Sequence, residues 1–143
     1  MRSRVAALRV VPAQEMSESP EVERVGMEVA MQYERDQGRE PEDVSAQNLG
    51  FDVRSRDPRT GRKRYIEVKA RTGVGSVALT QNEWFKARRF GNDYYLYAVL
   101  NAAATPELYI IQNPAAHLQP EEVVEVRYRV GVEEILAGAR ERV

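Results

Sequence analysis

The chain of 143 residues contains no cysteine and only one histidine, His117. Disulfides, thiolate metal sites and cysteine nucleophiles are therefore excluded, as are the zinc sites that need several sulfur or imidazole ligands. Any bound metal must be held by oxygen. No apolar run approaches the roughly 20 residues needed to span a bilayer, and the arginine-rich, broken start is no signal peptide. Internal repeats and low-complexity segments are also lacking. A soluble, cytoplasmic protein is expected, with no membrane partner, built around one core that this length can bury without staples.

The net charge of −1 conceals an asymmetry. Residues 1–50 carry ten acidic and six basic side chains, whereas residues 54–71 set eight basic side chains against Asp57 and Glu67 alone. Such a basic segment attracts phosphate backbones by Coulomb steering and counterion release. Arg59, Arg62, Lys63 and Arg71 are accordingly candidate nucleic-acid contacts. The plain alternative is a solvated hairpin.

Residues 1–16 form a leading segment whose apolar stretch, Val5 onward, stops at Pro12; it reads as an edge strand or as the end of a preceding domain. Residues 17–143 form the main domain. Ser19-Pro20-Glu21 combines an N-cap, a first-turn proline and a dipole-complementing acid. Val22, Val25, Val29 and Tyr33 then recur at helical spacing, which predicts a helix to about residue 37, stopped by Gly38. Residues 40–48 are polar and read as loop. Residues 50–55 alternate as a strand with Phe51 and Val53 facing the core, and Asp57-Pro58-Arg59-Thr60-Gly61 carries the turn chemistry that returns the chain as an antiparallel strand over residues 64–70. A short strand is expected at residues 77–79, buried strands over 94–100 and 108–111, and a strand over 123–130. Thr80-Gln81-Asn82-Glu83 is a capping box that opens a helix to about residue 90, and a last helix covers residues 132–139.

Asp52, Glu67 and Lys69 are the residues that carry chemistry. Side chains alternate along a strand, so Glu67 and Lys69 share one face while Ile66 and Val68 take the other, and the hairpin brings Asp52 opposite Glu67. Phosphodiester hydrolysis needs such a set. Hard carboxylate oxygens hold Mg2+ or Mn2+, the ion activates water and polarises phosphate, and an ammonium orients the nucleophile. The plain alternative is a surface ion pair between Glu67 and Lys69. Glu28 flanks the apolar stripe of the first helix and is a candidate assistant, with an exposed helix glutamate as its ordinary reading. Gln81 opens the second helix, where free N–H groups favour phosphate, and Lys86 lies one turn further on. Trp84 reads as core.

Gly26-Met27-Glu28, Leu49-Gly50-Phe51-Asp52-Val53, Arg64-Tyr65-Ile66-Glu67-Val68-Lys69, Thr80-Gln81-Asn82-Glu83-Trp84 and Asp93-Tyr94-Tyr95-Leu96-Tyr97 resemble, in order, the blocks of the protein NO VEIN C-terminal domain family. That resemblance covers about residues 20–130. It implies an α/β restriction-endonuclease-like PD-(D/E)xK core, a mixed central sheet flanked by helices. Asp52, Glu67 and Lys69 then stand at the superfamily's motif positions and Glu28 at its first-helix acid, with Phe51 where the motif's name places proline. It also implies association with a DNA or RNA helicase, in repair or defence.

The expected function is a metal-dependent nuclease acting on DNA, in which Asp52, Glu67 and the Val68 carbonyl hold the ion and Lys69 positions water. The runner-up is a non-catalytic nucleic-acid-binding accessory domain of a helicase. A protein-interaction module using the acidic first helix comes third.

Overall fold

The computed structural model describes residues 9–11 and 18–143. Five strands form an open sheet in the order β2-β3-β4-β5-β6: β2 (Glu40–Asp43), β3 (Val53–Arg56), β4 (Lys63–Ala70), β5 (Tyr94–Leu100) and β6 (Glu107–Gln112). Only β4 and β5 run parallel, so the sheet is mixed. A parallel pair needs a crossover, which is supplied here by α2 (Gln81–Phe90). A separate parallel pair joins β1 (Arg9–Val11) to β7 (Val123–Glu125). The rest of the expected leading segment 1–16 lies outside the described residues. Two short helices, α3 (Pro114–His117) and α4 (Val132–Gly138), complete the chain. No described helix is long and apolar enough to cross a membrane.

Local chemistry sets the two long helices. Ser19 caps α1 (Pro20–Asp36) by accepting from the Val22 N–H at 3.3 Å, and Thr80 with Glu83 closes a complete capping box on α2. The helices cover opposite faces of the sheet. On the α1 face Ala30 packs with Val53, Ile66 and Tyr97; on the α2 face Ala87 packs with Val44, Phe51 and Tyr94, and Trp84 joins that layer.

Several expectations are corrected. The polar stretch at residues 40–43 is a strand, because Glu40 and Glu42 lie opposite Arg56 and Arg54 and pair with them at 3.1 Å. Phe51 and Val53 are both buried but on opposite faces, since the ladder begins at Val53 and the alternation does not extend back to Phe51. Residues 77–79 form no strand, the strand expected over 123–130 ends at Glu125, and β6, expected to be buried, lies at the sheet edge with no buried residue.

A buried polar group sits under the α1 face. Glu34, fully buried, receives two hydrogen bonds from Arg39 at 2.6 and 2.9 Å and one from the Tyr97 hydroxyl, which in turn accepts from Arg64 at 2.7 Å. The buried Ser55 hydroxyl faces the same carboxylate without forming a hydrogen bond of its own.

The approach of α1 to β4 depends on Gly26, where a Cβ would stand 2.7 Å from the Ala70 Cβ. In an exposed helix, glycine to alanine gains about 1 kcal/mol. Overpacking a tight contact costs about 1–3 kcal/mol. Gly26→Ala is therefore expected to lower the melting temperature, as followed by circular dichroism. A higher value would mean that α1 retreats from the sheet without cost.

Candidate functional site

The site begins where β3 ends. Asp52 N–H donates to the Ile66 carbonyl at 2.8 Å, the last rung on this side of β4, and no strand continues opposite residues 67–70. The next inward-facing amide, Val68 N–H, donates instead to Asp52 Oδ2 at 2.9 Å. N–H and C=O of one strand residue point to the same side, so the Val68 carbonyl also faces this bare edge. Gly50 makes the approach of this segment possible: it has φ +88°, and a Cβ there would lie 2.5 Å from the Lys86 side chain.

A cavity of about 480 Å³ occupies the bare edge, lined by Asp52, Glu67, Val68 and Lys69, by the start of α1, and by Glu83. Glu67 is only 2 % exposed. Lys69 Nζ lies 3.1 Å from Glu67 Oε2 and 2.9 Å from Glu83 Oε1. The same Glu83 oxygen accepts the Thr80 N–H at 2.8 Å, so the helix cap also pins the ammonium.

Burial, then the charge of Asp52, pushes Glu67 up to about 10. Burial also raises Asp52, although hydrogen bonds from Val68 and Glu67 offset part of the effect. At neutral pH Glu67 keeps its proton and donates it to Asp52. Its contact with Lys69 is then that of a neutral acid, and the ammonium also lies against Glu83. Burial acts to lower Lys69, but Glu67 and Glu83 outweigh it and its pKa lies above the ordinary value.

Asp52, Glu67, Val68 and Lys69 are thus brought together, and Arg71 lines the same cavity. Glu28 is not. Its side chain is 64 % exposed and pairs with Arg24 at 2.8 Å, while Glu23 and Met27 face the cavity in its place, because the helix turns that position outward. Arg59 and Arg62 sit on the hairpin, paired with Asp57 at 3.6 Å and Asp93 at 3.0 Å, and Lys63 is exposed nearby. None of the three lines the cavity. Gln81 is exposed at the start of α2, and Lys86 lays its stem against Gly50. Glu83 was legible only as a cap; its second role depends on a tertiary contact that no spacing reveals.

A carboxyl whose folded pKa is raised stabilises the fold fully below its unfolded value, near 4.5 here, and that contribution is lost as pH climbs toward about 10. In chelator-treated protein, the melting temperature of Glu67→Gln should therefore gain on wild type steadily from pH 6 to pH 9, both values lying inside that roughly 4.5-to-10 window. Parallel profiles of melting temperature against pH would show that Glu67 ionises normally.

No curated protein and no solved structure matches the chain. Residues 22–111 match the family described as Protein NO VEIN, C-terminal, a span that runs from the first turn of α1 through β6 and contains Asp52, Glu67, Lys69 and Glu83. The chain belongs to the Protein NO VEIN C-terminal family.

Proposed function

We propose that this domain is a metal-dependent nuclease with a PD-(D/E)xK core, cutting phosphodiester bonds in DNA in association with a helicase. The observation that carries the reading is the meeting of two buried carboxylates, one of them protonated, with a lysine in a cavity on the bare edge of β4. The helicase association, and with it a place in repair or defence, is what resemblance to the family's motif blocks implies and is part of the same proposal.

The donor chemistry fits magnesium or manganese. Among the described residues no group of three or more histidine or acidic side chains is arranged as a metal cage. Magnesium commonly takes only one or two carboxylates and keeps several waters. Asp52 and Glu67 would hold the ion, with the Val68 carbonyl as a third oxygen on the same edge. The chemistry such an ion supplies is a water of lowered pKa and a polarised phosphate oxygen. Lys69, anchored on Glu83, donates a hydrogen bond to the attacking water and faces the negative charge that develops on phosphate. Asp52 fixes the edge by holding the Val68 N–H, and Glu67 would have to release its proton to solvent in order to serve as a ligand.

The test is incubation of the protein with single-stranded, duplex and forked DNA in magnesium or manganese. Wild type is expected to cleave, while Glu67→Ala and Lys69→Ala remain folded and lose at least about a hundredfold in rate, the usual scale for losing a positioned acid, base or electrostatic group. Equal rates in wild type and either variant would overturn the assignment. DNA bound but never cut would leave the accessory binding domain as the better reading.

A further inference from the structure

Beyond the carboxylate pair, three donors gather on a single anion, Glu18, that lines the cavity together with Arg71. Arg71 Nε lies 3.3 Å from Glu18 Oε2, the Thr72 N–H donates to that oxygen at 3.2 Å, and the Thr72 hydroxyl donates to Oε1 at 3.0 Å. Glu18 belongs to a different part of the chain, immediately before the cap of α1.

The donors are built on fixed backbone. Arg71 N–H bonds the Val99 carbonyl at 2.9 Å, and the Arg71 carbonyl accepts from Ala102 at 2.9 Å. The Thr72 carbonyl accepts from Ala103 at 3.3 Å and the Gly73 carbonyl from Asn101 at 2.9 Å. With these groups tied to the turn after β5, the Thr72 N–H and hydroxyl, on an exposed residue, are left free to donate to Glu18, which itself lines the cavity. The Arg71 guanidinium lies along Gly75, where a Cβ would come within 3.4 Å of Nε. Arginine, amide and hydroxyl donors converging on two oxygens form the set that grips the non-bridging oxygens of a phosphodiester. A carboxylate is the nearest imitation a protein has. Arg71 and Glu18 line the same cavity as Asp52, Glu67 and Lys69.

We propose that Arg71 and Thr72 form a phosphodiester subsite beside the Asp52–Glu67–Lys69 group, and that Glu18 fills it as an internal competitor until nucleic acid displaces it. The inference rests on the reading of nucleic acid as the ligand. It predicts that the Glu18 contact and the backbone phosphate are mutually exclusive.

Binding is measured by fluorescence anisotropy with labelled single-stranded and duplex oligonucleotides in chelator, where no cleavage can occur. Glu18→Ala should bind about three- to fivefold more tightly than wild type, the equivalent of one partly exposed ion pair. Glu23→Ala removes the same charge from the same cavity without touching Arg71 or Thr72, and should gain less. Adding Arg71→Ala or Thr72→Val to Glu18→Ala should abolish the gain. In the Glu18→Ala protein, shown to be folded by its dispersed amide spectrum, the oligonucleotide should shift the Thr72 amide resonance. Equal gains from Glu18→Ala and Glu23→Ala would reduce the effect to net charge and overturn the subsite. Binding that is the same in wild type and Glu18→Ala overturns the subsite alone, whereas no binding by either form overturns the nucleic-acid reading as well. If inorganic phosphate moves the Thr72 amide as fully as an equal concentration of oligonucleotide, the pocket takes free phosphate and the phosphodiester assignment fails.

Discussion

A backbone amide in the middle of β4, that of Val68, is satisfied by the carboxylate of Asp52 and not by a neighbouring strand. An unpaired buried N–H costs about 1–3 kcal/mol, so a sheet whose neighbour strand stops early must find another acceptor. Asp52 is that acceptor. By ending the ladder it leaves the edge of residues 67–70 bare, and by turning inward it brings one acid against another. The cavity and the facing of the Val68 carbonyl toward it follow from this one replacement of strand by side chain, and the Asp52 charge adds to the burial that raises Glu67.

The two buried glutamates among the described residues show what is unusual about the site. Burial pushes both upward, yet Glu34 lies below the ordinary carboxylate range while Glu67 rises to about 10. The difference lies in their partners. Glu34 is gripped by Arg39 and by the Tyr97 hydroxyl, donors that favour its charge. Glu67 faces Asp52, and the cation beside it, Lys69, is shared with Glu83. Glu34 is a satisfied piece of architecture. Glu67 is held in a state that an added cation relieves, which is the property expected of a functional group and not of a structural one.

Much of the domain was legible because its signals are local. The caps at Ser19 and Thr80, the turn at residues 57–61 and the alternation of Ile66, Glu67, Val68 and Lys69 depend only on near neighbours in sequence, and each placed its element correctly. What was missed depends on distant partners. Glu40–Asp43 carries no strand-forming residues and becomes a strand by pairing with β3, where Glu40 and Glu42 meet Arg56 and Arg54. Phe51 changes face because the regular alternation of β3 begins only at Val53. Glu28 shares its helix with the cavity-facing Glu23 and Met27, but a residue or so of helical phase separates reaching the cavity from facing water. Glu18 and Glu83 gave no sign in sequence beyond their places at helix starts, since their second partners lie across the fold.

The central claim is that Asp52 and Glu67 together are a divalent-metal site and not merely a buried acid pair. Isothermal titration calorimetry of magnesium into the chelator-treated, dialysed protein tests it without relying on any substrate. Binding of one ion to wild type, and none to the Asp52→Asn, Glu67→Gln double variant, is the result this account predicts. Wild-type protein that takes up no magnesium, with or without DNA, would contradict it.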